Sequence, residues 1–288
     1  MTSIHEINVM QAEVASGRLD PVRHAQALKA LREDGIVVLN GVVAEESIRT
    51  LRVRSLEDTR QLTERKDVPF NWTKGNIQQA PPPFAPFLFR DVLVNDVVIS
   101  VTKGILGPGL KNGFYSGNTA LPSESRQPVH ADEGQLWPSL VNVPPAHSLV
   151  VNIPLVDMGP ENGSTEVWPG THLDPTIAIQ GGDIVLMQEK VDERRSICPP
   201  LQPVVKAGSV IIRDIRMWHA GMPNRTSNPR PMIAMIHNVS WWTVGKVKFA
   251  KGSESFLEHT DLTWCVEYSD ESIDHISGVQ GYKSEAAT

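Results

Sequence analysis

From about Gly113 the chain alternates short apolar runs with turn residues at regular intervals, and that pattern restricts the fold more than any other feature. Val141-Asn142-Val143, Ser148 to Val156, Ser164 to Trp168, Gln202 to Val205, Ser209 to Ile215 and Met232 to Trp242 are bounded by turn residues and read as strands. Many short strands in one stretch predict a β-sandwich or barrel, in which inner faces pack and edges are covered. Asn162-Gly163 predicts a type I′ hairpin turn, because both central positions of that turn need tolerance of positive φ. Ala207-Gly208 marks a second turn.

The preceding stretch reads differently. Asp20-Pro21 is a helix start, with a capping carboxylate and proline in the first turn, and Val22, Ala25, Leu28 and Leu31 follow on one face until Gly35. Gly35 to Leu39 is a short buried strand turned by Asn40-Gly41, and the charged stretch from Glu45 to Lys66 is a second helix. Val68 to Pro86 reads as loop. Val97 to Leu106 is helical, capped by Asn95 or Asp96 and stopped by Gly107-Pro108. We therefore expect a mainly β fold in a single domain: a helical flank over about 1–110, a β core over about 113–245 and a C-terminal extension over 246–288.

The chain has 288 residues and 40% hydrophobic composition, enough for a sizeable core. Its 27 basic and 33 acidic residues leave a formal charge of −6, so no overall positive field argues for nucleic acid or an anionic membrane. A soluble small molecule is the expected partner, for a monomer or homodimer. No apolar run reaches the roughly eighteen residues of a membrane span, and the N-terminus has no targeting pattern. The two cysteines, Cys198 and Cys265, suggest neither zinc knuckle nor disulfide framework and fit a reducing, cytoplasmic setting.

Chemistry concentrates in Gln127-Pro128-Val129-His130-Ala131-Asp132. Strand side chains alternate faces, so His130 and Asp132 point the same way. With a third ligand from elsewhere they make a two-histidine, one-carboxylate triad that holds iron(II) and leaves one metal face open. His219, in Trp218-His219-Ala220-Gly221, is the candidate. The pattern His-x-Asp is weak alone, and the chain has three. His172-Leu173-Asp174 sits between Pro169-Gly170 and Pro175, in a loop where alternation does not hold, and reads as structural. His259-Thr260-Asp261 has only His275 downstream to complete it.

These segments, with Glu161-Asn162-Gly163-Ser164-Thr165 and Pro169-Gly170-Thr171-His172, resemble the phytanoyl-CoA dioxygenase family, in order and from Gly35 to about Trp242. The resemblance implies a double-stranded β-helix, or jelly-roll, and an Fe(II)-dependent dioxygenase that consumes O2 and 2-oxoglutarate. It also implies tailoring of small molecules in specialised metabolism. 2-Oxoglutarate fills two metal positions, and its far carboxylate needs a cation. Arg230, eleven residues after His219, stands where the family places its 2-oxoglutarate arginine, with Arg225 as the alternative. A planar fork grips a carboxylate bidentately, which a lysine does less well.

Gln127, Thr165 and Asn76 are further candidate contacts to the co-substrate, and each has a competing reading as turn or strand-end chemistry. Trp137, Trp218, Trp241 and Trp242 flank the ligands and suit an apolar substrate wall, or simply core packing. Arg194 and Arg195, in the polar stretch Gln188 to Ser196, suit a lid that holds a substrate carboxylate, or a solvated face. The expected reaction is oxidation of an unactivated C–H bond, by hydroxylation, desaturation or cyclisation, with an amino acid or other small acid as the candidate substrate. A cupin-like metal isomerase or hydrolase would keep the histidines without using Arg230, and a metal-stabilised binding protein would lack turnover. The intact Asp132 argues against halogenation, which in this family replaces that carboxylate by a small residue.

Overall fold

Residues 3–137, 140–175 and 184–281 are described by the structure, a computed structural model. The strands are β1 (Glu6–Asn8), β2 (Ile36–Asn40), β3 (Phe70–Asn71), β4 (Thr73–Gln78), β5 (Leu110–Ala120), β6 (Ser148–Pro154), β7 (Glu166–Val167), β8 (Val210–Asp214), β9 (His219–Ala220), β10 (Arg230–Asn238), β11 (Val247–Ala250), β12 (Leu262–Trp264) and β13 (Val266–Ser269). The helices are α1 (Gln11–Ser16), α2 (Pro21–Glu33), α3 (Glu45–Glu64), α4 (Arg90–Leu93), α5 (Asp96–Leu106), α6 (Gln188–Ile197) and α7 (Glu254–Leu257).

A nine-stranded sheet runs β1-β2-β8-β6-β10-β5-β4-β3, with β12 also paired to β5. Its centre is antiparallel, and β10 lies between β6 and β5, with Ile233 opposite Ile153 on one side and Gly117 on the other. Alternation divides this sheet into two faces. Val37, Leu39, Leu149, Val151, Ile153, Val210, Ile212, Ile233 and Met235 enter one core with Ala27, Ala30 and Leu31 of α2 and Val97, Val98 and Val101 of α5. Each buried valine, leucine, isoleucine or methionine among them contributes about 1.5–3 kcal/mol, and each alanine less. The opposite face presents Val150, Asn152, Arg213, Ile215, Met232, Ala234 and Ile236 to a cavity.

Across the cavity lies a row of very short pairings. Val185 bridges His130, His130 bridges His219, Val167 of β7 pairs with His219 of β9, and Leu201 bridges Val167. The outer side of this row packs Val129, Ala131, Trp168, Trp218 and Ala220 against Leu186 and Val191.

Helix starts follow local chemistry. The Asp20 carboxylate accepts from the Val22 and Arg23 amides, with Pro21 in the first turn, and Asn95 caps α5 by accepting from the Val98 amide. Several expectations change. The fold is sheet-rich but mixed α/β, not mainly β, because long helices back one face of the sheet. The loop expected over Val68 to Pro86 contains the hairpin β3–β4, whose polar residues hide a strand signal. The stretch expected as a helical flank supplies four strands of the main sheet, and the stretch beyond Lys246 supplies β12. Val141 to Val143 form no strand, and Val205 makes only one bridge, to Met158.

Asn162-Gly163 is a turn but not the type I′ hairpin. Gly163 has φ +75°, Asn162 is not at positive φ, and β7 pairs with β9 instead of β6. The Asn162 side chain takes over locally, accepting from the Gly159 amide and donating to the Asp157 carbonyl. A Cβ on Gly163 would meet the Met222 carbonyl oxygen at 2.6 Å, so glycine is needed for space as well as for φ.

Candidate metal centre

His130 and Asp132 project into the cavity while Val129 and Ala131 face the opposite way, into the outer packing. The backbone bonds between His130 and His219, with N–H···O distances of 3.0 and 2.9 Å in the two directions, bring the second histidine alongside. Their rings lie 4.2 Å apart. Gln127 ties the same two segments together: its side-chain oxygen accepts from the Gly221 amide at 2.8 Å and its NH2 donates to the Asn71 carbonyl. A Cβ on Gly221 would fall 2.5 Å from that oxygen, so the latch depends on glycine there.

Each histidine is oriented by its own backbone. Nδ1 of His130 lies 2.9 Å from the Pro128 carbonyl and Nδ1 of His219 lies 3.0 Å from the Met217 carbonyl. A carbonyl only accepts, so both Nδ1 atoms carry the proton and both Nε2 atoms present lone pairs as donors to a metal, that of His219 lying 3.4 Å from Nη2 of Arg213. Among the described residues, His130, Asp132 and His219 form the grouping whose ligand atoms lie within 4.8 Å of one another. Two neutral imidazoles and one carboxylate fit iron(II).

The electrostatics favour that ligand set. Burial alone would raise the Asp132 carboxyl, but the Arg213 guanidinium, His219 and His130 hold it well below the usual carboxylate range. Burial, followed by the charge of Arg213, lowers His219 and keeps it neutral. Arg213 places Nη2 at 2.5 Å from Oδ2 of Asp132, while Oδ1 lies 3.5 Å from Nε2 of His219. One carboxylate oxygen therefore faces the histidines and the other faces the arginine. Trp72, at φ +58°, closes the other side of His130 with its ring centroid 4.2 Å away.

The cavity has a volume of about 300 Å³. Asn76, Gln127 and Thr165, expected from the sequence, line it, as do Asn71, Gln78, Asn118, Asn152 and Arg213, which sequence reasoning missed. A signal existed for two of these: Arg213 follows Val210-Ile211-Ile212, and Asn152 interrupts Val150, Val151 and Ile153. A polar residue in an otherwise apolar, fully buried strand needs a partner or a function.

Arg230 is 1% exposed and begins β10 on the face that carries Met232 and Ala234 toward the cavity. Its Nε and Nη2 donate to the carbonyls of Asn162 and Gly163 at 3.2 and 2.9 Å, and Nη1 has no partner among the described residues. Burial lowers its pKa to about 10, which leaves it charged at neutral pH. Arg225, by contrast, is exposed and paired with Glu124.

The tryptophans and the expected lid sit elsewhere. Trp137 is 48% exposed, with its ring 6.5 Å from that of Trp241, which is exposed as well. Trp218 is buried against Trp168, and Trp242 packs beside His147. None of the four belongs to the described cavity lining, which is rich in carboxamides instead of aromatic. The Gln188 to Ser196 stretch is α6, whose Val191 packs on the outer wall of the histidine row. There Arg194 donates to the Pro169 carbonyl, and Arg195 lies 4.9 Å from the Trp168 ring. Neither arginine is among the residues of the described cavity lining. His172 is buried against Gly35, its Nε2 3.2 Å from the Arg32 carbonyl, and His259 pairs with Asp96.

The family model described as phytanoyl-CoA dioxygenase (PhyH) matches residues 31–232. Among curated proteins, dioxygenase af480 of Aspergillus fumigatus is 27% identical over 142 residues, 49% of this chain and 41% of that protein. The ectoine dioxygenase of Nocardia farcinica is 22% identical over 255 residues, 77% of this chain and 81% of that protein. The match to af480 thus spans less than half of that relative's length. Among solved structures, AviO1 from Streptomyces viridochromogenes Tue57 superposes with TM-score 0.59 at 20% identity, covering 79% of this chain and all of that one. The non-haem α-ketoglutarate-dependent epimerase SnoN from nogalamycin biosynthesis gives 0.54 at 16% identity, over 76% of this chain and 82% of its own. Among the described residues, no helix is long and apolar enough to cross a membrane.

Proposed function

Since the chain belongs to the phytanoyl-CoA dioxygenase family of Fe(II)- and 2-oxoglutarate-dependent dioxygenases, we propose that it oxidises an unactivated C–H bond of a soluble small molecule, with His130, Asp132 and His219 holding the iron. The observation that carries this reading is the convergence of the His130, Asp132 and His219 ligand atoms within 4.8 Å, with each histidine Nδ1 turned to a backbone carbonyl. We read the long sheet and the facing histidine row as the two layers of a double-stranded β-helix within one catalytic domain. Ectoine is a small soluble molecule, and a relative named for it supports a free metabolite as substrate. The two cysteines are free, which supports a reducing, cytoplasmic setting.

When bound, the iron and 2-oxoglutarate supply oxidising power from O2 by decarboxylation of the co-substrate to succinate. The chain supplies binding, orientation and shielding. Arg230, already positioned by two carbonyls, offers Nη1 to the far carboxylate of 2-oxoglutarate, and Thr165, Asn76 and Gln127 contribute polar contacts nearby. Trp72 covers one side of His130, and the Gln127 latch holds the two histidine segments in register.

The test is O2 uptake and succinate release against a panel of free metabolites. Uptake that depends on 2-oxoglutarate and Fe(II), with succinate formed in step, is the expected result. Substrate conversion with no 2-oxoglutarate consumed would point to an isomerase or hydrolase on the same metal site.

A further inference from the structure

We propose that Arg213 is the substrate-binding cation of this cavity, and that the substrate is a small carboxylic acid whose carboxylate is held by Nη1 of that residue. The inference rests on the iron and 2-oxoglutarate reading above. Arg213 is 6% exposed, lines the cavity and divides its fork. Nη2 is engaged by Asp132, whereas Nη1 is buried without a partner among the described residues. A buried guanidinium N–H without an acceptor is costly, because it has given up its bond to water and gained none in return. An acceptor brought by the substrate removes that cost.

The charge balance identifies the acceptor's chemistry. In the loaded site iron(II) would take up the charges of Asp132 and the near carboxylate of 2-oxoglutarate, and Arg230 would offset the far carboxylate. Arg213 is then left without counter-charge. The other carboxylate on the described lining, Glu133, is partly exposed and lies 2.6 Å from Nε2 of His147. A monoanionic substrate supplies the missing charge in a low-dielectric cavity, where it counts most. The carboxamides of Asn76, Gln78, Asn118 and Asn152 suit the amino or hydroxyl groups of the same molecule. Because Nη2 of Arg213 is 3.4 Å from Nε2 of His219, an acid held by this side chain sits beside the metal ligands. The oxidised carbon is then close to the carboxylate, not at the far end of a long chain.

The experiment uses anaerobic protein loaded with Fe(II) and 2-oxoglutarate, titrated calorimetrically with α-amino and α-hydroxy acids and with their primary amides. At least one acid should bind the wild type, with its amide about 30-fold or more weaker, and Arg213→Gln should erase that preference. Arg213→Lys, which retains a charge beside Asp132 but no fork, should keep the Fe(II)–2-oxoglutarate absorption and still lose about tenfold or more in acid affinity. Equal binding of acids and amides, an acid preference that survives Arg213→Gln, or no binding by any acid would overturn the assignment. So would loss of 2-oxoglutarate affinity in Arg213→Gln, because Arg213 would then serve the co-substrate. Failure of the wild type to form the Fe(II)–2-oxoglutarate absorption is a different result: it removes the proposed cofactors, and this proposal with them.

Discussion

On β6, Val151 and Ile153 enter the core shared with α2 and α5, whereas Val150 and Asn152, each one residue away, face the metal ligands. β8 and β10 repeat the division, with Ile212 and Ile233 on the helix side and Arg213 and Met232 on the cavity side. The helix side is apolar and closely packed, so its stability is spread over many side chains. The cavity side carries buried polar groups, two of them arginine Nη1 atoms with no partner among the described residues. Groups of that kind cost folding free energy and are retained where a ligand completes them. Two faces of the same strands thus divide stability from chemistry.

The largest effect expected on the cavity side is at Arg230. Arg230→Leu should raise the 2-oxoglutarate requirement by roughly 30- to 4000-fold, about 2–5 kcal/mol, while Fe(II) affinity stays near wild type. Steady-state titration of 2-oxoglutarate reads this directly. If Arg225→Leu had that effect and Arg230→Leu did not, the exposed arginine would be the anchor.

Adjacent residues on β6 sharpen the contrast. Ile153→Ala should destabilise by about 2–5 kcal/mol in denaturant unfolding, because it opens a hole in the apolar core. Asn152→Ala should cost no more than about 1 kcal/mol, since its NH2 has only a 3.5 Å contact with the Ile233 carbonyl. Equal costs would erase the division between the faces.

The helix side also has a pH limit. His237 is buried beside Thr102 of α5, and burial, with a smaller contribution from His259, lowers its pKa from 6.5 to about 3. The folded value lies below the unfolded one, so protons favour the unfolded chain. The stability from neutral His237 is fully present above pH 6.5 and is lost as pH falls toward 3, by about 1.4 kcal/mol per pH unit. His237→Gln should remove one proton's worth of that slope in acid unfolding curves, and an unchanged slope would contradict the assignment. The smallest effect is expected at Trp137, which is 48% exposed. Trp137→Ala should change stability by about 0.5 kcal/mol or less.

The helix side was largely legible in the sequence, because its signals are local. The Asp20-Pro21 cap and the run Ile36 to Leu39 specify their elements within a few residues, whereas the face expected for α2 is turned: Val22 and Ala25 are exposed, and Ala27, Ala30 and Leu31 are the buried side. His130, Asp132 and His219 were legible through alternation and motif, and their side chains converge. Arg213 and Asn152 read in the sequence only as strand interior, since their surroundings are made by other strands far along the chain. Trp137 and the α6 arginines are not among the described cavity lining, and nearness in sequence to a ligand does not fix which side of a wall a residue occupies. The 162–163 turn shows the same limit. Its residues suit a hairpin, yet its carbonyls anchor Arg230 and its flanking strands pair elsewhere.

The central claim is that the cavity side is an iron and 2-oxoglutarate site built on His130, Asp132 and His219. Anaerobic titration of Fe(II) into protein with excess 2-oxoglutarate, followed by the visible charge-transfer absorption of that chelate, tests it most directly. The account predicts saturation at one iron per chain in the wild type and loss of the absorption in Asp132→Ala, with the fold intact by circular dichroism. An undiminished absorption in Asp132→Ala, at wild-type iron affinity, would contradict it.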